Sequence, residues 1–221
     1  MIAAPERSAE RDAAIDAVLP HVAFDGWTRS ALRRGLTDAG ADPRDAALLF
    51  PGGAADMIAA FCDLADRRMA AGMTAPGYAD LRVSARVRAA IALRLAQNRA
   101  HREAVRRALA VLALPGNAAT AAACTGRTVE AIWRAAGDRS ADFSWYTKRA
   151  ILAAIYTATV LFWLSDAGED DAATLAFLDR RLAGVKRIGG LRRRAEDGLR
   201  RLTPQAVRDR LGPPAVPARQ R

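Results

Sequence analysis

The chain has 221 residues, 51% of them hydrophobic, enough to bury one substantial core in a single domain or a closely joined pair. Its net charge of +10 is spread unevenly, at −4 over residues 1–80, +9 over 81–150, −3 over 151–185 and +8 over 186–221. Abundant alanine, with few β-branched runs and almost no alternating apolar stretches, excludes a sheet-based fold and predicts an all-α protein.

The first 16 residues, MIAAPERSAERDAAID, mix Glu6, Glu10 and Asp12 with arginines and hold no apolar core. This pattern matches neither a secretory signal nor a transit peptide, so the expected location is the bacterial cytoplasm. A first helix is predicted over about Ser8 to Ala23, with Ile15, Val18, Leu19 and Val22 on one face and Gly26 beyond its end. Thr28 caps a second helix carrying Leu32, Leu36 and Ala39, which stops at Gly40. Pro43 opens a short third helix through Leu48 to Phe50, and a fourth covers Ala54 to Met69. In helix lengths and the Phe50–Pro51 turn, these 70 residues resemble the helix-turn-helix head of TetR-type repressors. The charges oppose a DNA-binding reading. From Ser30 to Phe50, Arg33, Arg34 and Arg44 are balanced by Asp38, Asp42 and Asp45, and Asp45 sits on the helix a repressor would place in the major groove. The head reads as a shared fold without a nucleic-acid partner.

Pro76 and Gly77 precede a fifth helix over about Leu81 to Gln97. Its Val83, Val87, Ile91 and Leu95 recur at helical spacing, with Arg82, Arg86, Arg88, Arg94, Arg99 and Arg102 around them. That pattern is a core row with a solvated arginine face, an anionic-surface role being the alternative. A sixth helix starts near His101 and ends before Leu114, Pro115 and Gly116. The seventh spans Ala118 to Ala136, the eighth about Ser144 to Leu164, and the ninth about Asp171 to Ile188. The longest apolar run, Ala150 to Leu164, has 15 residues, short of the roughly 20 that span a bilayer, and reads as a core or dimer-interface helix. Leu191, Ala195, Leu199 and Leu202 then share one helical side, ringed by Arg192, Arg193, Arg194, Arg200 and Arg201, before a proline-rich tail predicted to be disordered.

Chemistry-bearing motifs are scarce. His21 and His101 read as surface or capping residues, no metal-ligand spacing or glycine-rich phosphate loop is present, and Asp138 and Asp142 lie where helix caps belong. Cys62 and Cys124 lack a CxxC or Cys/His cluster and read as reduced, buried thiols. The expectation is a protein that is not an enzyme and carries no metal or cofactor. Helices seven and eight are rich in small residues, including Ala122, Ala153 and Ala154, interleaved with Leu112, Ile132, Leu152 and Leu161. Such residues either leave room for a long apolar ligand or allow close helix packing.

Residues 135–182 carry AGDxSxDxxWYTKRxxLAxxY followed by TxxFLDRRL, a combination that closely resembles the ubiquinone-biosynthesis lipid-binding family, the ninth of the Coq proteins. The resemblance implies an all-α, TetR-like fold of nine or ten helices. It divides the chain into a helix-turn-helix-like head (1–70), a lipid-binding and dimerisation body (71–189) and a basic amphipathic segment with a tail (190–221). It favours an isoprenoid ligand near Leu112, Ala122, Ile132, Leu152 and Leu161, handed to a di-iron demethoxyubiquinone hydroxylase that docks on Ile132, Trp145 and Tyr146. Lys148 and Arg149 are added here as rim charges. The family's membrane-seeking C-terminal helix corresponds to the segment with Leu191, Arg192, Arg193, Arg194, Leu199, Arg200 and Leu202. The implied protein is a homodimer on an anionic membrane, peripheral on the bacterial inner membrane. A ligand-responsive TetR-type repressor is the alternative.

Overall fold

The computed structural model describes residues 4–138, 144–168 and 170–184. Among them the regular elements are α1 (Ala9–Asp25), α2 (Arg29–Asp38), α3 (Ala46–Leu49), α4 (Gly53–Gly72), α5 (Val83–Gln97), α6 (Arg102–Leu112), α7 (Ala118–Ala135) and α8 (Ser144–Ser165). A ninth helix, α9, covers 172–184. Short 3-10 turns precede α3, α6 and α7. The chain divides into a compact unit, Met1–Leu178, and a second, Asp179–Arg221, of which residues 179–184 are described.

The cap expected at Thr28 is realised, and Ser8 caps α1 in the same way. Ser8 accepts a bond from the Arg11 amide at 3.1 Å, and Thr28 from the Ala31 amide at 3.1 Å. Gly26 ends α1 with φ +69°, a conformation that favours glycine. Gly35 has a different role: a Cβ there would lie 2.4 Å from the Ala17 carbonyl oxygen, so its absence lets α2 cross α1 backbone to backbone.

The head shares one core with the body. Ile15, Val18, Val22, Trp27, Leu32, Met57 and Phe61 pack with Ala104, Ala108 and Leu112 of α6. The Trp27 indole also donates to the Ala104 carbonyl at 3.0 Å. Polar locks reinforce the same contact. The buried Arg11 guanidinium reaches the Leu49 carbonyl and the Asp56 carboxylate and lies 4.3 Å from the Phe50 ring centre. Arg67 ties α4 to Asp12 of α1.

Two readings of α5 need correction. Val83, placed on the core row, is 41% exposed, whereas Arg94, placed on the solvated face, is buried. The helix is turned so that Arg94 meets Asp66 of α4, a partner whose position no local periodicity reveals. Other arginines assigned to that solvated face are also engaged: Arg86 of α5 binds backbone carbonyls, and Arg99 and Arg102, beyond the helix, both bind Asp171.

Within α8, Leu152, Ile155, Thr159 and Trp163 are buried, while Tyr146, Ile151 and Leu161 are exposed along the other side. Among the described residues, one unbroken helix, Tyr146–Ser165, is long and apolar enough to cross a membrane by length and composition, with 33% of it buried in the fold. This corrects the expectation from the 15-residue run Ala150 to Leu164: the helix continues through Tyr146 to Arg149 at one end and Ser165 at the other. Beyond α8 the chain turns sharply. Asp171 adopts φ +56° and accepts bonds from Arg99, Arg102 and the Trp163 indole, and Phe162 stacks on Phe177 at 4.5 Å.

Candidate functional site

A cavity of about 330 Å³ lies between α4, α5, α6, α7 and α8. Val105, Ala108, Leu109 and Leu112 of α6 form an apolar wall, continued by Val160 and Leu161 of α8. The rest of the lining includes a polar part, with Cys62, Arg94, Cys124, Thr128 and Tyr156. On α7 the lining residues are Ala121, Cys124, Thr125 and Thr128, successive positions of one helical face.

The polar part is organised around Asp66. Its Oδ1 accepts from Arg94 Nε at 2.8 Å and its Oδ2 from Thr128 Oγ1 at 2.9 Å. Arg94 also lies 5.5 Å from the Tyr156 ring centre. Burial pushes the Asp66 carboxyl up, against the pull of Arg94 and Thr128, and burial likewise raises the Tyr156 phenol. For Arg94 burial disfavours the charge, but the facing Asp66 carboxylate outweighs it and holds the guanidinium protonated. The result is an ion pair below an apolar chamber, with the neutral Tyr156 phenol beside it.

The sequence-derived lipid residues separate. Leu112 and Leu161 line the chamber. Ala122 does not, because it lies off the cavity face of α7 and borders a different groove with Glu130 and Arg149. Ile132 and Leu152 are packed in the core at 0% and 2% exposure. Burial also removes Ile132 from the docking surface on which it was placed. Tyr146 is 77% exposed. Trp145 lies in α8, and its side chain is outside the described residues. Lys148 is 3.9 Å from Asp138. Arg149 is held by Glu130 at 2.7 Å with its side chain 15% exposed, which commits it to the fold rather than to a rim. Asp142 and the segment with Leu191, Arg192, Arg193, Arg194, Leu199, Arg200 and Leu202 lie outside the described residues.

Sequence reasoning missed Asp66, Arg94, Thr128 and Tyr156. The available signal was the four-residue spacing of Cys62 with Asp66 on α4 and of Cys124 with Thr128 on α7, two helices each presenting a thiol and a polar group on one face. His21 behaves as expected of a surface residue, 3.0 Å from Asp38. Among the described residues no group of His, Cys, Asp and Glu has the arrangement to hold a metal ion.

The helix order and the head packed on a helical body define a TetR-like fold. A solved TetR transcriptional regulator from Nitrosomonas europaea matches with a TM-score of 0.65 at 24% identity, over 80% of this chain and 97% of that one. The COQ9 family model matches residues 118–189. The mitochondrial ubiquinone biosynthesis protein coq9 of Schizosaccharomyces pombe is 32% identical, over 80% of this chain and 70% of its own length. The rat and human mitochondrial ubiquinone biosynthesis proteins COQ9 are each 31% identical over 79% of this chain. The chain belongs to the COQ9 family. It spans 58% and 57% of the length of these two mammalian relatives. Their names correct one expectation: a bacterial cytoplasmic protein peripheral on the inner membrane is not supported, because the relatives are named mitochondrial. The residue pattern of a short terminal segment does not report the compartment.

Proposed function

We propose that this chain serves ubiquinone biosynthesis as a non-catalytic lipid-binding accessory protein, holding an isoprenoid quinone intermediate and presenting it to the di-iron demethoxyubiquinone hydroxylase at an anionic membrane. The observation that carries the reading is a cavity lined by both an apolar wall and a polar cluster. Its apolar wall with Leu112 and Leu161 suits a prenyl chain, and the Tyr156 and Thr128 hydroxyls beside Arg94 suit the oxygens of a head group. A volume of about 330 Å³ accommodates a head group and the first part of a tail. The remainder leaves past Leu161, which is 55% exposed.

The proposed division of labour follows the chain. Residues 1–70 form a head packed on the body, residues 71–189 bind lipid and dimerise through α8 and α9, and residues 190–221 supply the basic membrane contact. Tyr146 and Trp145 anchor the hydroxylase, with Lys148 at the rim. Any iron belongs to that partner. The relatives' names support the pathway. The fold likeness to a TetR regulator favours a repressor as the second reading, but two of the head's cations are paired, Arg34 with Asp25 and Arg44 with Asp42, which disfavours phosphate contact. The experiment is organic extraction of the purified full chain followed by mass spectrometry. Isoprenoid quinones or their precursors above a membrane blank are expected, and their absence counts against the reading.

A further inference from the structure

The cavity wall carries both cysteines of the chain. Cys62 on α4 and Cys124 on α7 are far apart in sequence, yet the packing of these two helices brings both thiols to the wall of one chamber, where each perturbs the other's titration, and both are free. Their surroundings are asymmetric. The Cys124 sulfur accepts from Arg127 Nη2 at 3.4 Å, whereas Cys62 is half-buried on the chamber side. The interaction between the thiols, helped by Arg127, lowers Cys124 to about 7 and raises Cys62. The other charged and titratable groups facing them are Asp66 from α4, Arg94 from α5 and Tyr156 from α8. Asp66 and Arg94 are paired with each other, which leaves Arg127 as the cation directed at a sulfur.

We propose that Cys62 and Cys124 form a redox-active dithiol, oxidised to an intramolecular disulfide by an organic hydroperoxide that enters the cavity. The Cys124 thiolate attacks the outer peroxide oxygen, the O–O bond breaks, and the alkoxide takes a proton and leaves as an alcohol. Cys124 is then a sulfenic acid. The Cys62 sulfur gives up its proton and displaces hydroxide from the Cys124 sulfur, and proton and hydroxide leave as water. Two thiols and one hydroperoxide thus yield one disulfide, one alcohol and one water, and the two electrons lost by sulfur reduce the peroxide. The apolar wall favours an organic hydroperoxide over hydrogen peroxide. The disulfide pins α4 to α7 across the chamber. None of this requires an isoprenoid ligand, so a failure to recover quinones leaves the inference standing.

The test treats the full-length protein with cumene hydroperoxide, quenches by alkylation, and maps non-reduced peptides by mass spectrometry. Expected are a Cys62–Cys124 linked peptide and a loss of about two mass units, with slower reaction for hydrogen peroxide. Cys62→Ser should accumulate a Cys124 sulfenic acid trapped by dimedone, and Cys124→Ser should give neither product. In the Cys62→Ser background, Arg127→Gln should slow alkylation of Cys124 at neutral pH several-fold. Two unlinked thiols after treatment, separate over-oxidation of each cysteine, or a disulfide that forms as fast in urea-unfolded chain would overturn the proposal. Mapping of the wild-type chain decides the matter even where a variant fails to fold.

Discussion

Asp171 gathers its partners on one carboxylate at the turn between α8 and α9, so its removal tests how that corner is held. Its Oδ2 accepts from Arg99 Nε and Nη2 at 3.0 and 2.6 Å, and its Oδ1 from Arg102 Nη2 at 2.8 Å and the Trp163 indole at 3.1 Å. Removing one partner of a buried ion pair costs about 3–5 kcal/mol. The Arg99 and Arg102 side chains are 47% and 24% exposed and recover water, which argues for the low end, about 3 kcal/mol. Alanine at φ +56° adds about 1 kcal/mol of backbone strain. Asp171→Ala should therefore lose about 4 kcal/mol and Asp171→Gly about 3, while Asp171→Asn, which keeps an acceptor and tolerates this φ, should lose about 2. Urea unfolding followed by circular dichroism and tryptophan fluorescence measures the series. An alanine variant within about 1 kcal/mol of wild type, or a glycine variant less stable than alanine, would refute the assignment of the corner's stability to this carboxylate.

Tyr146→Ala should weaken association with the hydroxylase by about 2 kcal/mol and leave the melting temperature unchanged, since the side chain is 77% exposed. Pull-down and thermal unfolding separate the two effects, and wild-type binding by a folded variant would withdraw Tyr146 from the docking surface. Burial alone would raise the Asp63 pKa, but hydrogen bonds from Arg7 and Arg67 win and hold it below its ordinary 3.8. A depressed carboxylate stabilises the fold fully above that ordinary value and loses this contribution as pH falls through the folded value. Asp63→Asn should therefore be less stable at neutral pH and show a flatter loss below about pH 4, and parallel stability curves for the two proteins would contradict this. A chain ending at Gly190 loses a segment of net charge +6 and should fold but no longer float with anionic liposomes. Equal flotation would move the membrane contact elsewhere.

Helix periodicity and capping chemistry made most of the architecture readable. Ser8, Thr28, Gly26 and Pro43 act locally, and local signals survive folding unchanged. The site was less legible because its parts depend on how helices rotate against one another. Arg94 looks like a surface arginine until Asp66 faces it from α4, and Cys62 and Cys124 have no spacing that announces their meeting on one chamber wall. Ala122 and Ile132 illustrate the same limit within one helix. Both belong to an alanine-rich amphipathic stretch, yet one borders an outer groove and the other is sealed in the core, while the chamber uses the row through Cys124 and Thr128. The motif over residues 135–182 was informative for the family but not for the chamber, whose apolar wall comes largely from α6.

The most direct measurement compares lipid extracts of the wild-type chain with those of Ala108→Phe, whose ring would project from α6 into the chamber. Ala108 is 4% exposed and lines the apolar wall, so the added ring occupies ligand space, and circular dichroism verifies that the variant is folded. The expected result is an isoprenoid quinone or precursor with the wild type above a membrane blank, and blank-level lipid with the folded variant. A wild-type extract without such lipid, or a folded variant carrying as much as wild type, would contradict binding in this cavity.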